Sequence, residues 1–188
     1  MKRVFSLVVL ALLLSTALAG SNLRNQFERA IRTSALLDSD LKITLADEKN
    51  GYLKFSGSFK GWGEFKIWKR SSATDMLGLN TVTCRSGCAS TSIAFFANRN
   101  DYLVDITKNV MSSLPTSKLL GIYRSKIPGT KISDPKKLRV ILEFMRLGSS
   151  IMVFGEYEVG KNPKLGELKF DGTKFRLELA LPNRKIQF

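Results

Sequence analysis

The 188-residue chain contains no histidine. That absence removes Ser-His-Asp and Cys-His catalysis, the usual zinc sites and the commonest general base. Its fourteen glycines form neither a P-loop nor a dinucleotide fingerprint, so the sequence offers no phosphate-cradling loop of either type. Acidic residues are scarce, 16 against 30 Lys and Arg. A pair of them could still supply glycosidase chemistry. However, Asp47, Glu48, Asp75, Asp101 and Asp105 fall in or beside expected turns, and Glu143, Glu156, Glu158 and Glu178 take exposed strand positions. The expectation is a protein that is not an enzyme, with no catalytic residue, no metal site and no cofactor. Asn-x-Ser/Thr sequons are also missing, which leaves no acceptor for N-glycosylation.

Long apolar runs are equally rare. One of them, Val4 to Leu14, follows Lys2 and Arg3 and precedes Ala17-Leu18-Ala19. A basic start, a short apolar stretch and an A-x-A close describe a signal peptide over residues 1–19, cleaved before Gly20. The run is too short for a membrane span of about 20 residues. The expected location is secreted or extracellular, periplasmic in a bacterial cell. Removing Lys2 and Arg3 leaves 28 basic against 16 acidic residues, a charge of +12. For an exported protein, that excess points to anionic headgroups, lipopolysaccharide, polysaccharide or other polyanions.

Only two cysteines occur, in TVTCRSGCASTS. Three residues ending in Gly between two β-prone runs fit a hairpin loop with Gly87 left-handed. Cys84 and Cys88 then face each other across the first pair of positions, where a disulfide closes readily in an oxidising compartment. The C-x-x-x-C spacing is not that of a redox motif.

What remains is a β-rich pattern with helices at intervals. Leu23, Phe27, Ala30, Ile31 and Leu37 recur at helical spacing after Ser21-Asn22, so the spacing predicts an amphipathic helix over 23–37. From Leu41 the period becomes two, and strands are expected at Leu41–Leu45, Leu79–Cys84, Cys88–Ala97 and Tyr102–Thr107. A helix broken at Pro115 is expected from Val110 to Ile127. Its second half carries Lys118, Arg124 and Lys126 beside an apolar face. Such a helix either lies on a membrane surface or simply covers a core. Further strands follow at Leu138–Phe144 and Ile151–Val159, and LKFDGTKFRLELAL reads as a hairpin around Asp171-Gly172. The expected fold is α+β, a long curved antiparallel sheet packed on one or two amphipathic helices, in a single domain over residues 20–188.

The stretch from Tyr52 to Arg70 is the most informative. Odd positions carry Leu53, Phe55, Phe59, Phe65 and Ile67, with glycines at 57, 61 and 63. Even positions carry Lys54, Lys60, Trp62, Glu64, Lys66, Trp68 and Arg70. KGWGEFKIWKR comes close to an RNA-recognition signature. There, stacking aromatics share a face two residues apart. Trp62 and Phe65 are three apart and point oppositely, and Glu64 adds a negative charge, so nucleic acid is not an expected partner. The glycines allow either one bent strand or two strands meeting near Gly61-Trp62-Gly63.

The order of features, a first helix and then G-x-L-x-F-x-G-x-F-x-G-W-G-x-F-x-I from Gly51 to Ile67, resembles the tubular lipid-binding superfamily, which includes mite group 7 allergens, insect takeout proteins and bactericidal/permeability-increasing protein. The likeness covers roughly residues 23–159, with Trp62 standing where Leu is usual. It implies a curved sheet wrapped on a helix with an apolar tunnel or groove. The chain is shorter than a full member, and a Cys84–Cys88 clip differs from that family's usual N-terminal disulfide.

Two functions are therefore in view. One is a carrier of an apolar or amphiphilic, lipid-like ligand in a groove lined by Phe55, Phe59, Phe65 and Ile67, with Phe95, Val153 and Phe175. Each of these residues also suits plain core packing. The other is a cationic module for anionic membranes, lipopolysaccharide or polyanions, with Lys54, Lys60, Trp62, Lys66, Trp68 and Arg70 as its contact face.

Overall fold

Alternating side chains decide most of this structure, a computed structural model that describes residues 22–34, 40–70, 74–84, 87–100, 102–156 and 162–181. The expected leader, the end of the first helix at 35–37, and Tyr157 and Val159 lie outside the described residues. Ten strands occur among those described, all paired antiparallel, in two sheets. With a few helices they make an α+β fold.

The first sheet is a meander in chain order. It comprises β1 (Lys42–Asp47), β2 (Tyr52–Ser56), β3 (Gly61–Trp68), β4 (Met76–Cys84), β5 (Cys88–Arg99) and β6 (Tyr102–Asp105). The second contains β7 (Val140–Phe144), β8 (Ile151–Gly155), β9 (Lys164–Phe170) and β10 (Phe175–Leu179), in the order β10-β9-β8-β7. The expectation of one long sheet is thus replaced by two. Tyr52 to Trp68 is two strands, and the chain turns at residues 57–60 rather than at Gly61-Trp62-Gly63.

Helix α1, residues 22–33, presents Leu23, Phe27, Ala30 and Ile31 to one face of the first sheet. Those positions fall at i, i+4, i+7 and i+8, the width of an apolar stripe. The residues they meet are Leu53, Phe55, Phe65, Leu77, Leu79 and Phe96. Gly63 is required there, because a Cβ at that position would stand 2.0 Å from the Phe55 ring.

The other face of the first sheet carries Tyr52, Trp68, Met76 and Phe95. These pack against Leu142, Phe144, Ile151, Val153, Leu168 and Phe175 of the second sheet. Trp68 is at the centre, edge-on to Phe95, Phe144 and Phe175 with ring centroids 5.0–5.7 Å away, a favoured aromatic geometry. Of the helix expected from Val110 to Ile127 with a break at Pro115, the part after the proline forms, as α3 (Thr116–Lys126); residues 111–115 are non-helical, and a short α2 (Thr107–Val110) lies ahead of them. Proline at 115 lacks an amide and restricts the residue before it, so the helix restarts there. Leu119, Leu120 and Tyr123 of α3 join the core between the sheets. Among the described residues, no helix is long and apolar enough to cross a membrane.

The hairpins expected at Cys84–Cys88 and at Asp171-Gly172 both form. Cys84 pairs with Cys88 across β4 and β5, with Cα atoms 4.0 Å apart and a disulfide between them. Gly87 has φ +145°. At the other hairpin, Asp171 accepts from the Thr173 and Lys174 amides at 2.9 Å each, and Gly172 takes φ +95°, as an Asx-type turn requires.

Substituting Gly63→Ala forces a methyl into the Phe55 ring. The expected loss is about 2 kcal/mol, read as a lower urea midpoint with an unchanged slope. Gly121→Ala, whose added Cβ meets nothing within 4 Å, should be neutral or slightly stabilising.

Candidate functional site

The seven residues expected to line one groove belong to two separate cores. Phe55 (1% exposed) and Phe65 (0%) lie beneath α1, with Phe27 ring centroids at 5.0 and 5.6 Å. Phe59 packs on Phe55 from the edge, and Ile67 joins the same cluster half-buried. Phe95, Val153 and Phe175 lie on the opposite side of the first sheet. Parity explains the division. Phe95 pairs with Gly78, and Gly78 with Lys66, so Phe95 shares the even face of β3 and not the odd one. The structure does not bring these seven side chains together around a common space.

One open space beside α1 is a groove of about 240 Å³ lined by Phe27, Glu28, Ile31, Arg32, Leu41 and Ile43. Edge strand β1 leaves Ile43 and Leu45 exposed nearby. Phe59 and Lys60 border another opening with Ser58 and Thr83.

The expected cationic face is corrected more sharply. Lys66 and Trp68 are each only 2% exposed, because the second sheet lies on that side. Lys54 is half-buried, 3.6 Å from Glu64, and Trp62 is half-buried with its Nε1 lacking a hydrogen-bond partner among the described residues. Arg70 is likewise half-buried, whereas Lys60 is exposed.

In place of a contact face, the even positions form a latch. Glu64 Oε2 accepts from the Phe144 amide at 2.8 Å and from Asn80 Nδ2 at 3.3 Å, while Oε1 accepts from the Tyr52 hydroxyl at 2.9 Å. Asn80 Nδ2 also donates to the Leu142 carbonyl at 2.7 Å, and Ser90 Oγ accepts from the Leu142 amide at 2.8 Å. Lys66 Nζ donates to the carbonyls of Met145 and Arg146, and Trp68 Nε1 to that of Ser149 at 2.9 Å. Strand β7 is the edge of its sheet. Its outward backbone groups are therefore met by side chains from β3, β4 and β5 of the other sheet, which avoids leaving buried backbone unpaired. Glu64, whose charge in the sequence argues only against a nucleic-acid face, is an internal acceptor.

Burial pushes the Glu64 carboxyl above its ordinary value, and the donors around it oppose this only in part. Burial pushes the Lys66 ammonium down, with Asp47 and Glu64 opposing. Burial also raises the Tyr52 hydroxyl, reinforced by Glu64. Asp47, bonded to Asn50 and Arg146, is held down at about 2.

Exposed charge collects elsewhere. Residues 107–139 hold eight basic residues (Lys108, Lys118, Arg124, Lys126, Lys131, Lys136, Lys137 and Arg139) and one acid, Asp134. That is +7 of the chain's +14. Helix α3 packs on β9 and on a 3-10 turn at Pro135–Lys137. Tyr123 anchors it over Gly155 and donates to the Glu156 carbonyl at 2.9 Å. Arg124 Nε donates to the Ile132 carbonyl at 3.1 Å and ties the intervening loop back to the helix. Arg139 pairs with Glu156 at 3.1 Å, whereas Lys108, Lys118, Arg124, Lys126, Lys131, Lys136 and Lys137 form no ion pair among the described residues. The sequence signal was the basic pattern of α3, and the loop that brings Lys131, Lys136 and Lys137 to it was not legible. Among the described residues, no three His, Cys, Asp or Glu side chains gather as a metal site would need.

No family model matches this chain, and no curated protein matches it significantly. Among solved structures it is similar to a domain of an uncharacterized protein from Porphyromonas gingivalis W83, with 11% identity, 73% of this chain and 75% of that chain covered, and a TM-score of 0.49. At that level neither shared fold nor function follows.

Glu64→Ala leaves the Phe144 amide and one Asn80 donor buried without that acceptor, and should cost roughly 3 kcal/mol. Glu64→Gln retains an acceptor and should cost no more than about 1 kcal/mol. Because the folded carboxyl is raised above 4.5, its favourable contribution is complete below that value and is lost as pH rises through the folded pKa. Urea midpoints measured across this range should fall with pH more steeply in the wild type than in Glu64→Gln.

Proposed function

We propose that this chain is an exported, non-enzymatic module that binds polyanionic surfaces or polymers through a cationic exterior. The observation that supports this reading best is the basic excess of residues 107–139. Residues 107–139 carry +7 of the net +14, six of it on α3 and the loop folded against it, and seven cations of this segment form no ion pair among the described residues. Unpaired charge on one face favours association with anions and accelerates encounter. The compartment follows from the N-terminal sequence pattern, and an exterior charge of this sign suits anionic envelope lipid, lipopolysaccharide or acidic polysaccharide.

A second reading keeps the apolar ligand. Its support is the groove between α1 and β1, where Phe27, Ile31, Leu41 and Ile43 make an apolar floor with Arg32 at the rim. An amphiphile there would rest its chain on the floor and its anionic head near Arg32. To take a larger, lipid-like guest against Phe55, Phe59, Phe65 and Ile67, α1 would have to lift and the sheet curl around the space, as the resemblance to tubular lipid binders suggests.

Affinity for a heparin column and for anionic vesicles tests the first reading. With about four phosphate- or sulfate-like contacts, binding should weaken roughly a hundredfold between about 50 and 200 mM salt. Binding that ignores salt, or none at low salt, contradicts it. Native mass spectrometry tests the second: an added mass of lipid size, lost in Ile31→Glu, supports a guest beside α1, and a bare chain from lipid-rich cells removes it.

A further inference from the structure

Resting on the polyanion reading, we propose that the face of α3 and the Pro135–Lys137 turn holds a linear polysaccharide bearing sulfate or phosphate groups, and not a lipid bilayer. Among the described residues, the exposed large apolar ones are Ile43 and Leu45 in β1, Tyr102 and Val104 in β6, and Leu147, Leu179 and Leu181. None lies in residues 107–139, where the one aromatic, Tyr123, is 1% exposed. Membrane-surface helices bury aromatic and aliphatic anchors in the interface, and single-stranded nucleic acid is held by base stacking on aromatics. Met111, Leu114, Ile122, Ile127 and Ile132 are half-buried against the core, so the face presents neither kind of anchor fully exposed.

What it offers suits a sulfated or phosphorylated chain. Lys118, Gly121 and Arg124 are all exposed on α3 at i, i+3 and i+6, the two cations standing about 120° apart around the helix. Six residues of helix place the two cations about 9 Å apart along the axis. Between them Gly121 has open space above it, with nothing within 4 Å of where a Cβ would be, so a polymer can approach the helix backbone. Arg124 is held by its Nε at the Ile132 carbonyl. Its terminal nitrogens make no hydrogen bond among the described residues and remain as a fork for a tetrahedral oxyanion. Lys131, Lys136 and Lys137 extend the charge on the loop beside it, and the backbone of that turn is fixed by Asp134, whose Oδ1 accepts from the Lys136 amide at 2.9 Å.

The test uses the full chain and three probes at matched charge: a heparin oligosaccharide, vesicles of phosphatidylserine in phosphatidylcholine, and a single-stranded oligonucleotide. Lys118, Lys136 and Lys137 are changed together to Glu, and Lys42, Lys49 and Lys174 serve as the control triple with the same change in net charge. Circular dichroism and thermal unfolding confirm that both variants fold. At about 150 mM salt the wild type should bind the oligosaccharide and leave the vesicles in the supernatant. The first triple should weaken binding at least about tenfold, and the control by no more than about twofold, because rim charges act locally at this ionic strength. Tighter binding to vesicles assigns the face to a bilayer and overturns the proposal, as does preference for the oligonucleotide. Equal losses in both triples also overturn it, while leaving diffuse polyanion binding intact. A wild type that binds no probe removes the broader reading as well.

Discussion

The arrangement depends on how one strand edge is kept from water. Strand β7 ends the second sheet and turns its open edge toward the face of the first. There the Leu142 and Phe144 amides and the Leu142 carbonyl meet Ser90, Glu64 and Asn80, one residue from each of three adjacent strands. Had these been apolar, buried backbone groups would stand unpaired, at about 1–3 kcal/mol each. With them in place, the second sheet can lie across the first and enclose Trp68 and its aromatic neighbours. A buried carboxylate is expensive to desolvate, and its raised pKa reflects that cost. It is retained here because it accepts at once from the Tyr52 hydroxyl, the Asn80 side-chain amide and the Phe144 backbone amide.

Covering both faces of the first sheet has a functional consequence. Helix α1 fills the odd side of β3 and the second sheet fills the even side, so the apolar positions that stand out in the sequence face other parts of the same chain. Interaction with the outside is left to edges and charge. Strand β1 with its exposed Ile43 and Leu45 is one such edge, and α3 with its neighbouring loop is the region where charge is least neutralised. The outer side of the second sheet differs, because Lys164, Lys169 and Arg176 are paired there with Glu167, Glu178 and Asp171. Net charge alone would not have separated these two surfaces.

Local grammar was readable from the sequence. Period two gave most of the strands, Cys84 and Cys88 marked one hairpin, Asp171-Gly172 marked another, and Pro115 marked the start of α3. Where a long-range partner decides, the local pattern carries no signal. Parity states that Lys66 and Trp68 share a face, not that a second sheet covers it. A clue was present, since large aromatics occur on both parities: Phe55 and Phe65 on one, Tyr52 and Trp68 on the other. A sheet with one wet face has no need of both. Phe95 was grouped with the wrong neighbours for the same reason, because its register against Gly78 is set by pairing across β4 and β5 and not by its own surroundings. The role of Glu64 was hidden as well, since its donors come from residues 12, 16 and 80 positions away.

The edge-on docking of β7 is open to direct measurement by native-state hydrogen exchange. Because the Leu142 and Phe144 amides are bonded to Ser90 and Glu64, they should exchange only on global unfolding, as slowly as amides within β4, and the Phe144 amide should speed up selectively in Glu64→Ala. Exchange of those two amides at the rate of the open edge of β1 would mean that the two sheets are not held together in this way.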